Sequence, residues 1–291
     1  MEEFAKRNGI RISCRLKPIY GIREQEIIGA EVLLGSLNRT GRWTDPVVVL
    51  REAERNRWVY QIDLWVFRQA CMLLNTIQNP NIKTIHIHMA YGTYLYYRNI
   101  KIMEALTKRY QVDPSRFCLW FGKMPGQAEQ KSAQKNPAQK NLRRLKALGF
   151  QFGAEEFRRG TFDLMDPQSP DYKFVWLNRH LLSHHSEQSL GESMLKSMLR
   201  ACRNQKMEII ADGVWNAAQA ERLKALGCTG LAGPYISTQL SAEKFLEMYG
   251  KTGGRKHESG NKKEDFHVVV EDPSPDMESG NPRLPDPDGA C

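Results

Sequence analysis

Residues 83–121, KTIHIHMAYGTYLYYRNIKIMEALTKRYQVDPSRFCLWF, contain one full period of the pattern that decides the fold. Lys83–Met89 and Phe117–Phe121 are short apolar runs that read as strands, and Arg98–Tyr110 between them has the length and spacing of a helix. A short apolar strand on each side of a helix implies parallel strands buried on both faces. Upstream, Arg11–Leu16 and Glu26–Leu34 read as strands joined by a turn. Thr44 or Asp45 is expected to cap a helix with Pro46 in its first turn. Helices follow over Val47–Asn56 and Tyr60–Leu74, the second amphipathic through Ile62, Trp65, Val66, Gln69 and Leu73. Downstream the alternation continues with helix Asn141–Leu148, strands Phe150–Ala154 and Phe174–Leu177, and helix Gly191–Arg203. Strand Met207–Ala211, helix Ala217–Leu226 and strand Gly230–Gly233 complete it. About eight such strands in ~240 residues suit a closed α/β barrel of the (β/α)8 type. Periodicity alone leaves a doubly wound sheet open.

The chain has 291 residues, 41% of them hydrophobic, which is enough for a sizeable core. No run of 18 apolar residues and no apolar N-terminal stretch occurs, so a cytoplasmic protein with no membrane contact is expected. Cys14, Cys71, Cys118, Cys202, Cys228 and Cys291 are scattered without metal-site spacing and read as reduced thiols. No phosphate-binding loop, GxSxG or dinucleotide fingerprint is present. His184 and His185 read as a helix cap or surface pair, and Trp43, Trp58 and Trp65 as packing anchors.

Residues 1–10 read as a lead, 11–250 as the folded domain, and 251–291, rich in Gly, Pro, Ser and charge, as a disordered tail. Gly126–Gln139 reads as a surface loop. The net charge of +9 is uneven. Lys123–Lys146 is the most basic stretch, and its Lys131, Lys135, Lys140, Arg143 and Arg144 form a candidate face for nucleic acid or acidic protein.

Several segments in order resemble one family, the bacterial EAL domains that hydrolyse cyclic di-GMP. LKPIYG…IIGAEVLLG is similar to that family's QPI…EALLR start, IHIHMAY stands at its VNLSA and FCLWFGK at its LEITE. GFQFGAEEFRRGTFDL resembles its DDFG segment, VWLNRHLL stands at its KID, and IIADGVW…GCTGLAGPYIS resembles its EGVE…QG close. The resemblance implies a TIM-like (β/α)8 barrel with an antiparallel first strand, and a site in which two Mg²⁺ or Mn²⁺ ions activate water.

Carried over residue by residue, the signature Glu is Glu31 and is retained. The Asn ligand falls at His88, the first Glu of LEITE at Trp120 and its last Glu at Lys123. The paired Asp become Glu155 and Glu156, the catalytic Lys becomes Trp176 and the Asp after it Asn178. The Glu of EGVE becomes Asp212, and the late Gln becomes Ala232. A methylene displaces a carboxylate by about 1.5 Å, more than a metal site tolerates. Of the phosphate- and guanine-binding positions, the Arg falls at Gly35 and the Gln at Lys17, with Lys17, Arg158 and Arg159 as possible substitute ligands. Lys123, Arg158 and Arg159 are also the expected counter-ions to the remaining carboxylates.

These replacements lead to the expectation of a catalytically inactive regulator, not an enzyme, with no metal or cofactor and no cyclic di-GMP. Such a protein would act by protein–protein contact on a transcription or RNA-turnover regulator in motility, biofilm or virulence control. A nucleic-acid regulator using the basic face, and a residual cyclic di-GMP phosphodiesterase or sensor, are the alternatives.

Overall fold

A long antiparallel hairpin, β1 (Arg11–Gly21) and β2 (Glu26–Leu37), opens the fold and fixes its register with Lys17 opposite Glu31. The computed structural model describes residues 11–37, 40–44, 46–121, 137–155, 171–177 and 190–251. From β2 the sheet grows by parallel pairing through β4 (Thr84–Met89), β5 (Phe117–Phe121), β6 (Gln151–Glu155), β7 (Phe174–Leu177), β8 (Glu208–Ala211) and β9 (Gly230–Leu231). β1 then pairs antiparallel with β9 as well as with β2, so the sheet closes on itself. That closure excludes a doubly wound sheet and gives the expected barrel with an antiparallel first strand. A two-residue strand, β3 (Trp43–Thr44), is appended to β2.

Outside the barrel lie α1 (Val47–Arg55), α2 (Val59–Thr76), α3 (Tyr97–Arg109), α4 (Pro137–Ala147), α5 (Leu190–Asn204), α6 (Ala217–Ala225) and α7 (Ala242–Tyr249). Two apolar layers result. Ile85, Ile87, Leu119, Phe152, Val175 and Ile209 point outward against helices. Ile19, Cys118, Trp120, Phe174, Trp176, Ile210 and Ala232 fill the interior. A strand such as TIHIHM is apolar on both faces because one meets helices and the other meets the barrel's own filling.

Four local readings change. The hairpin strands run past the expected ends, through Pro18 and out to Leu37. Thr44 does not cap α1; it lies in β3, with its hydroxyl 2.9 Å from that of Ser36, and Pro46 stands at the N-cap without a side-chain cap, while Asp45 lies outside the described residues. α4 begins at Pro137, inside the stretch read as a loop, because proline's fixed φ suits a first helical turn. The last helix, α7, went unread; Ser241 caps it by accepting from the Lys244 amide. Residues 1–10 and 252–291, with the tail reading, and His184 and His185 lie outside the described residues.

Cys71, Cys118, Cys202 and Cys228 are buried and unbridged, as is the half-buried Cys14. Burial pushes the Cys14 and Cys71 thiols up to about 12, so they behave as apolar side chains. No described helix is long and apolar enough to cross a membrane.

β2 and β4 approach closely where Gly29 meets Thr84. A Cβ at Gly29 would lie 2.2 Å from the Thr84 carbonyl oxygen, and the backbone there cannot give way without breaking the ladder. Gly29→Ala is therefore expected to cost roughly 1–3 kcal/mol of stability, read from the urea midpoint. An unchanged midpoint would mean that the two strands separate freely.

Candidate functional site

Strand register assembles the site. Lys17 of β1 stands opposite Glu31 of β2, Glu31 beside His86 of β4, and His88 beside Trp120 of β5. Trp176 of β7 lies beside Glu155 of β6, Asp212 directly follows β8, and Ala232 directly follows β9. Side chains from separate strands thus converge at the end of the barrel where the parallel strands finish.

Lys17 Nζ donates to Asp212 Oδ2 at 2.7 Å and lies 2.6 Å from Glu31 Oε2. The second contact is a close ion pair within the barrel. His88 Nε2 holds the other oxygen, Oε1, at 2.8 Å. Side-chain exposure rises from 6% at Glu31 through 14% at Lys17 to 25% at Asp212 and 33% at His88. The cluster is therefore rooted in the barrel and open on its Asp212 and His88 side. Burial pushes the Glu31 carboxyl up, but the His88 hydrogen bond and the charges of Lys17 and His88 together bring it down to about 2. Burial pushes Lys17 down, and the two carboxylates outweigh this and raise it.

Below this layer the barrel is aromatic. Trp120 and Trp176 meet edge to face with centroids 5.5 Å apart, and Lys17 Nζ lies 5.0 Å from the Trp176 ring centre. The Trp120 indole N–H donates to His86 Nδ1 at 3.1 Å, and His86 Nε2 lies 3.0 Å from the Thr84 hydroxyl. Burial pushes the His86 imidazole down to about 3, so it is neutral. With Nδ1 accepting, its proton sits on Nε2 and is donated to Thr84. A Cβ at Gly153 would lie 2.5 Å from the Trp120 ring, so only glycine leaves room for that indole.

At the rim, Trp43 lies where a Gly35 side chain would be: a Cβ there would stand 2.1 Å from its ring. Arg15 sits two residues before Lys17, on the same face of β1, and lays its guanidinium over the Trp43 ring at 4.6 Å.

Among the described residues, the donor set as it stands does not fit a two-metal centre. The Lys17 ammonium lies between the two carboxylates that would have to bind an ion, and Trp120 and Trp176 offer no donor.

The EAL domain family model matches residues 4–239. This chain belongs to the EAL domain family. Its curated relatives include signaling protein YkoW of Bacillus subtilis, 20% identical over 239 residues, 82% of this chain and 29% of that protein. The bifunctional diguanylate cyclase/cyclic di-GMP phosphodiesterase MucR of Pseudomonas aeruginosa is 21% identical over 223 residues, 76% of this chain and 32% of that one. This EAL domain thus spans under a third of the length of those relatives. Among solved structures it is similar to EAL enzyme Bd1971 with cAMP and cyclic di-GMP bound, at TM-score 0.72 and 18% identity, over 85% of this chain and 66% of that one. The MucR phosphodiesterase in complex with cyclic di-GMP gives TM-score 0.67 and 21% identity, over 81% of this chain and 99% of that one. The FimX EAL domain from Pseudomonas aeruginosa bound to cyclic di-GMP gives 0.67 and 18%, over 82% and 94%. At these identities the solved structures establish the fold.

Two expectations are corrected by these findings. That the chain is not an enzyme does not stand, because the EAL family model matches residues 4–239 and the fold is that of an EAL enzyme and a phosphodiesterase. Cyclic di-GMP was also set aside as a ligand, yet neighbours of the same fold bind it, and neither a regulator nor a nucleic-acid partner finds comparable support.

The structure brings Lys17, Glu31, His88, Trp120, Trp176, Asp212 and Ala232 to one end of the barrel. Glu155 contributes its backbone to β6, while Glu156, Asn178, Lys123, Arg158, Arg159, Lys131 and Lys135 lie outside the described residues. Among the described residues the cation shared by both carboxylates is Lys17, a position first read as a ligand contact, and His88 adds a second partner to Glu31. On the proposed basic face Lys140 and Arg143 are exposed on α4. Arg144 instead rests on the Tyr97 ring at 4.7 Å and lies 3.8 Å from Glu104, and Lys146 pairs with Asp171. That face is thus partly neutralised within the molecule. His86 and Gly153 were missed, although the alternation in IHIH places both histidines on one face of a strand.

Proposed function

We propose that this EAL domain is a cyclic di-GMP signalling module that takes the dinucleotide at the C-terminal mouth of its barrel. Arg15, laid flat on Trp43 at 4.6 Å, is the observation that supports this reading. The resemblance placed a phosphate-gripping Arg at Gly35, and its loss argued against the ligand. Trp43 fills that space, and Arg15 brings a guanidinium to the same rim. A planar guanidinium held against an indole is oriented before the ligand arrives, and its paired N–H groups match phosphate oxygens. Trp215, 61% exposed just past β8, and the exposed Tyr235 add aromatic faces on which purines stack. The Tyr235 amide donates to the Val214 carbonyl at 2.9 Å, which ties the two loops together. Of the readings drawn from sequence, the residual phosphodiesterase or sensor is the one favoured by family and fold.

Titration calorimetry with cyclic di-GMP tests this. Wild type is expected to bind, and Arg15→Ala to weaken binding by about 10–100-fold through loss of a charge-assisted contact. No heat from wild type at roughly 1 mM dinucleotide, a concentration that detects even weak sites, would overturn the proposal. So would an Arg15→Ala variant that binds as wild type does. Chromatography of the same samples with Mg²⁺ or Mn²⁺ reads any opening of the bound ring to the linear dinucleotide.

A further inference from the structure

We infer that the Lys17 ammonium is a built-in cation that holds the place of a divalent ion between Glu31 and Asp212, so that the barrel mouth excludes such ions while Lys17 is present. Three groups converge there: the Glu31 carboxylate, the Asp212 carboxylate and the His88 imidazole. Two oxygens and one nitrogen, from β2, β4 and the residue after β8, make a donor set that suits Mn²⁺ or Zn²⁺. The point between the two carboxylates is taken by Lys17 Nζ, 2.6 Å from one and 2.7 Å from the other, while His88 holds the second oxygen of Glu31. A metal would need the same oxygens at about 2.0–2.2 Å, so ammonium and ion compete for one point in space.

Lys17 is not easily displaced from that point. Its backbone is held in register opposite Glu31 by the β1–β2 ladder, and the Trp176 ring stands 5.0 Å from its Nζ. Its side chain is only 14% exposed, so swinging the ammonium to water means leaving the barrel wall. Glu31 in turn is buried and depends on a cation, because an isolated buried carboxylate is strongly unfavourable. The ammonium meets that need from within the chain, whereas an ion would meet it from solution. The inference does not depend on dinucleotide binding, and its test uses none.

The test follows Mn²⁺ binding to the full chain by electron paramagnetic resonance, together with melting temperature in Mn²⁺ or in EDTA. Wild type is expected to melt at the same temperature in both and to take up no Mn²⁺ that is lost on Glu31→Gln. Lys17→Gln removes the charge and leaves the three donors. It is expected to melt lower in EDTA, to recover in Mn²⁺, and to bind one ion at least about tenfold more tightly than wild type. Glu31→Gln added to Lys17→Gln should abolish that uptake. Lys17→Arg keeps a cation and should remain indifferent to Mn²⁺. A wild-type chain that binds Mn²⁺ tightly and loses it on Glu31→Gln would overturn the inference. So would a folded Lys17→Gln variant that gains no affinity. Should Lys17→Gln fold only with metal present, that dependence itself supports the exchange of one cation for another.

Discussion

A Trp120→Ala variant is expected to lose about 3–5 kcal/mol of unfolding free energy, among the largest effects a single truncation produces. Trp120 is fully buried and is the largest such side chain in the barrel. It packs edge to face on Trp176 and stacks along His86 at 5.5 Å. Two terms add: the cavity left by the indole, and the loss of the N–H that satisfies His86 Nδ1. Gly153 cannot refill the space because it has no side chain. Trp120→Phe keeps most of the volume and should recover part of the loss, leaving the unpaired imidazole nitrogen as the remainder. Urea unfolding of the three proteins measures both terms. A loss below about 1 kcal/mol for the alanine variant would mean that the interior is loosely filled.

Stability should also pass through a maximum in mildly acid solution, because two buried carboxylates work in opposite directions. Glu31 is held down to about 2 against an unfolded value near 4.3, so its contribution is complete above that value and is lost as pH falls toward 2. The shift corresponds to on the order of 2–3 kcal/mol. Asp63 on α2 is the reverse. Burial raises it to about 6, although Oδ2 accepts from the Ala90 amide at 2.8 Å and from the Thr93 hydroxyl. Its native state therefore holds a proton more tightly than the unfolded chain, whose value is near 3.9. That stabilisation is complete below about 3.9 and disappears as pH rises through 6. The two windows meet near pH 4. Glu31→Gln should flatten the limb below it, and Asp63→Asn, whose amide oxygen can accept both bonds, the limb above it. Chemical denaturation from pH 2.5 to 7 checks each limb, and a wild-type profile that rises steadily from pH 4 to 6 would contradict the Asp63 assignment.

Most of the barrel was legible in the sequence because its signals are local. Segments such as Phe117–Phe121 and Ala217–Ala225 declare themselves by period and by the polar punctuation around them. Closure was not legible in that way. β9 is two residues long, and only its pairing with Tyr20 and Gly21 of β1 makes it a wall of the barrel. The site divided along the same line. Glu31, His88, Trp120 and Asp212 could be placed by motif order, since each occupies a fixed position on or just after its own strand. Lys17 as the ion that joins Glu31 to Asp212 could not, because that contact depends on two strands far apart in sequence meeting at closure. Arg15 escaped for a related reason: its role depends on Trp43, which the sequence assigned to packing and the fold places on Gly35.

The bond from Lys17 to Asp212 spans 195 residues, and the strand that seats Lys17 also seals the barrel against β9. This has a consequence for how the protein comes into being on the ribosome. β1 is made before β9, and until Gly230 and Leu231 are made one of its edges has no partner. An unpaired strand edge is a template for association with other chains. The site must therefore be among the last features to form, and a chain stopped before residue 230 carries both an open sheet and a scattered set of charges. Barrel closure and site assembly are a single event, so the bond from Lys17 to Asp212 marks a barrel whose last strand is in place.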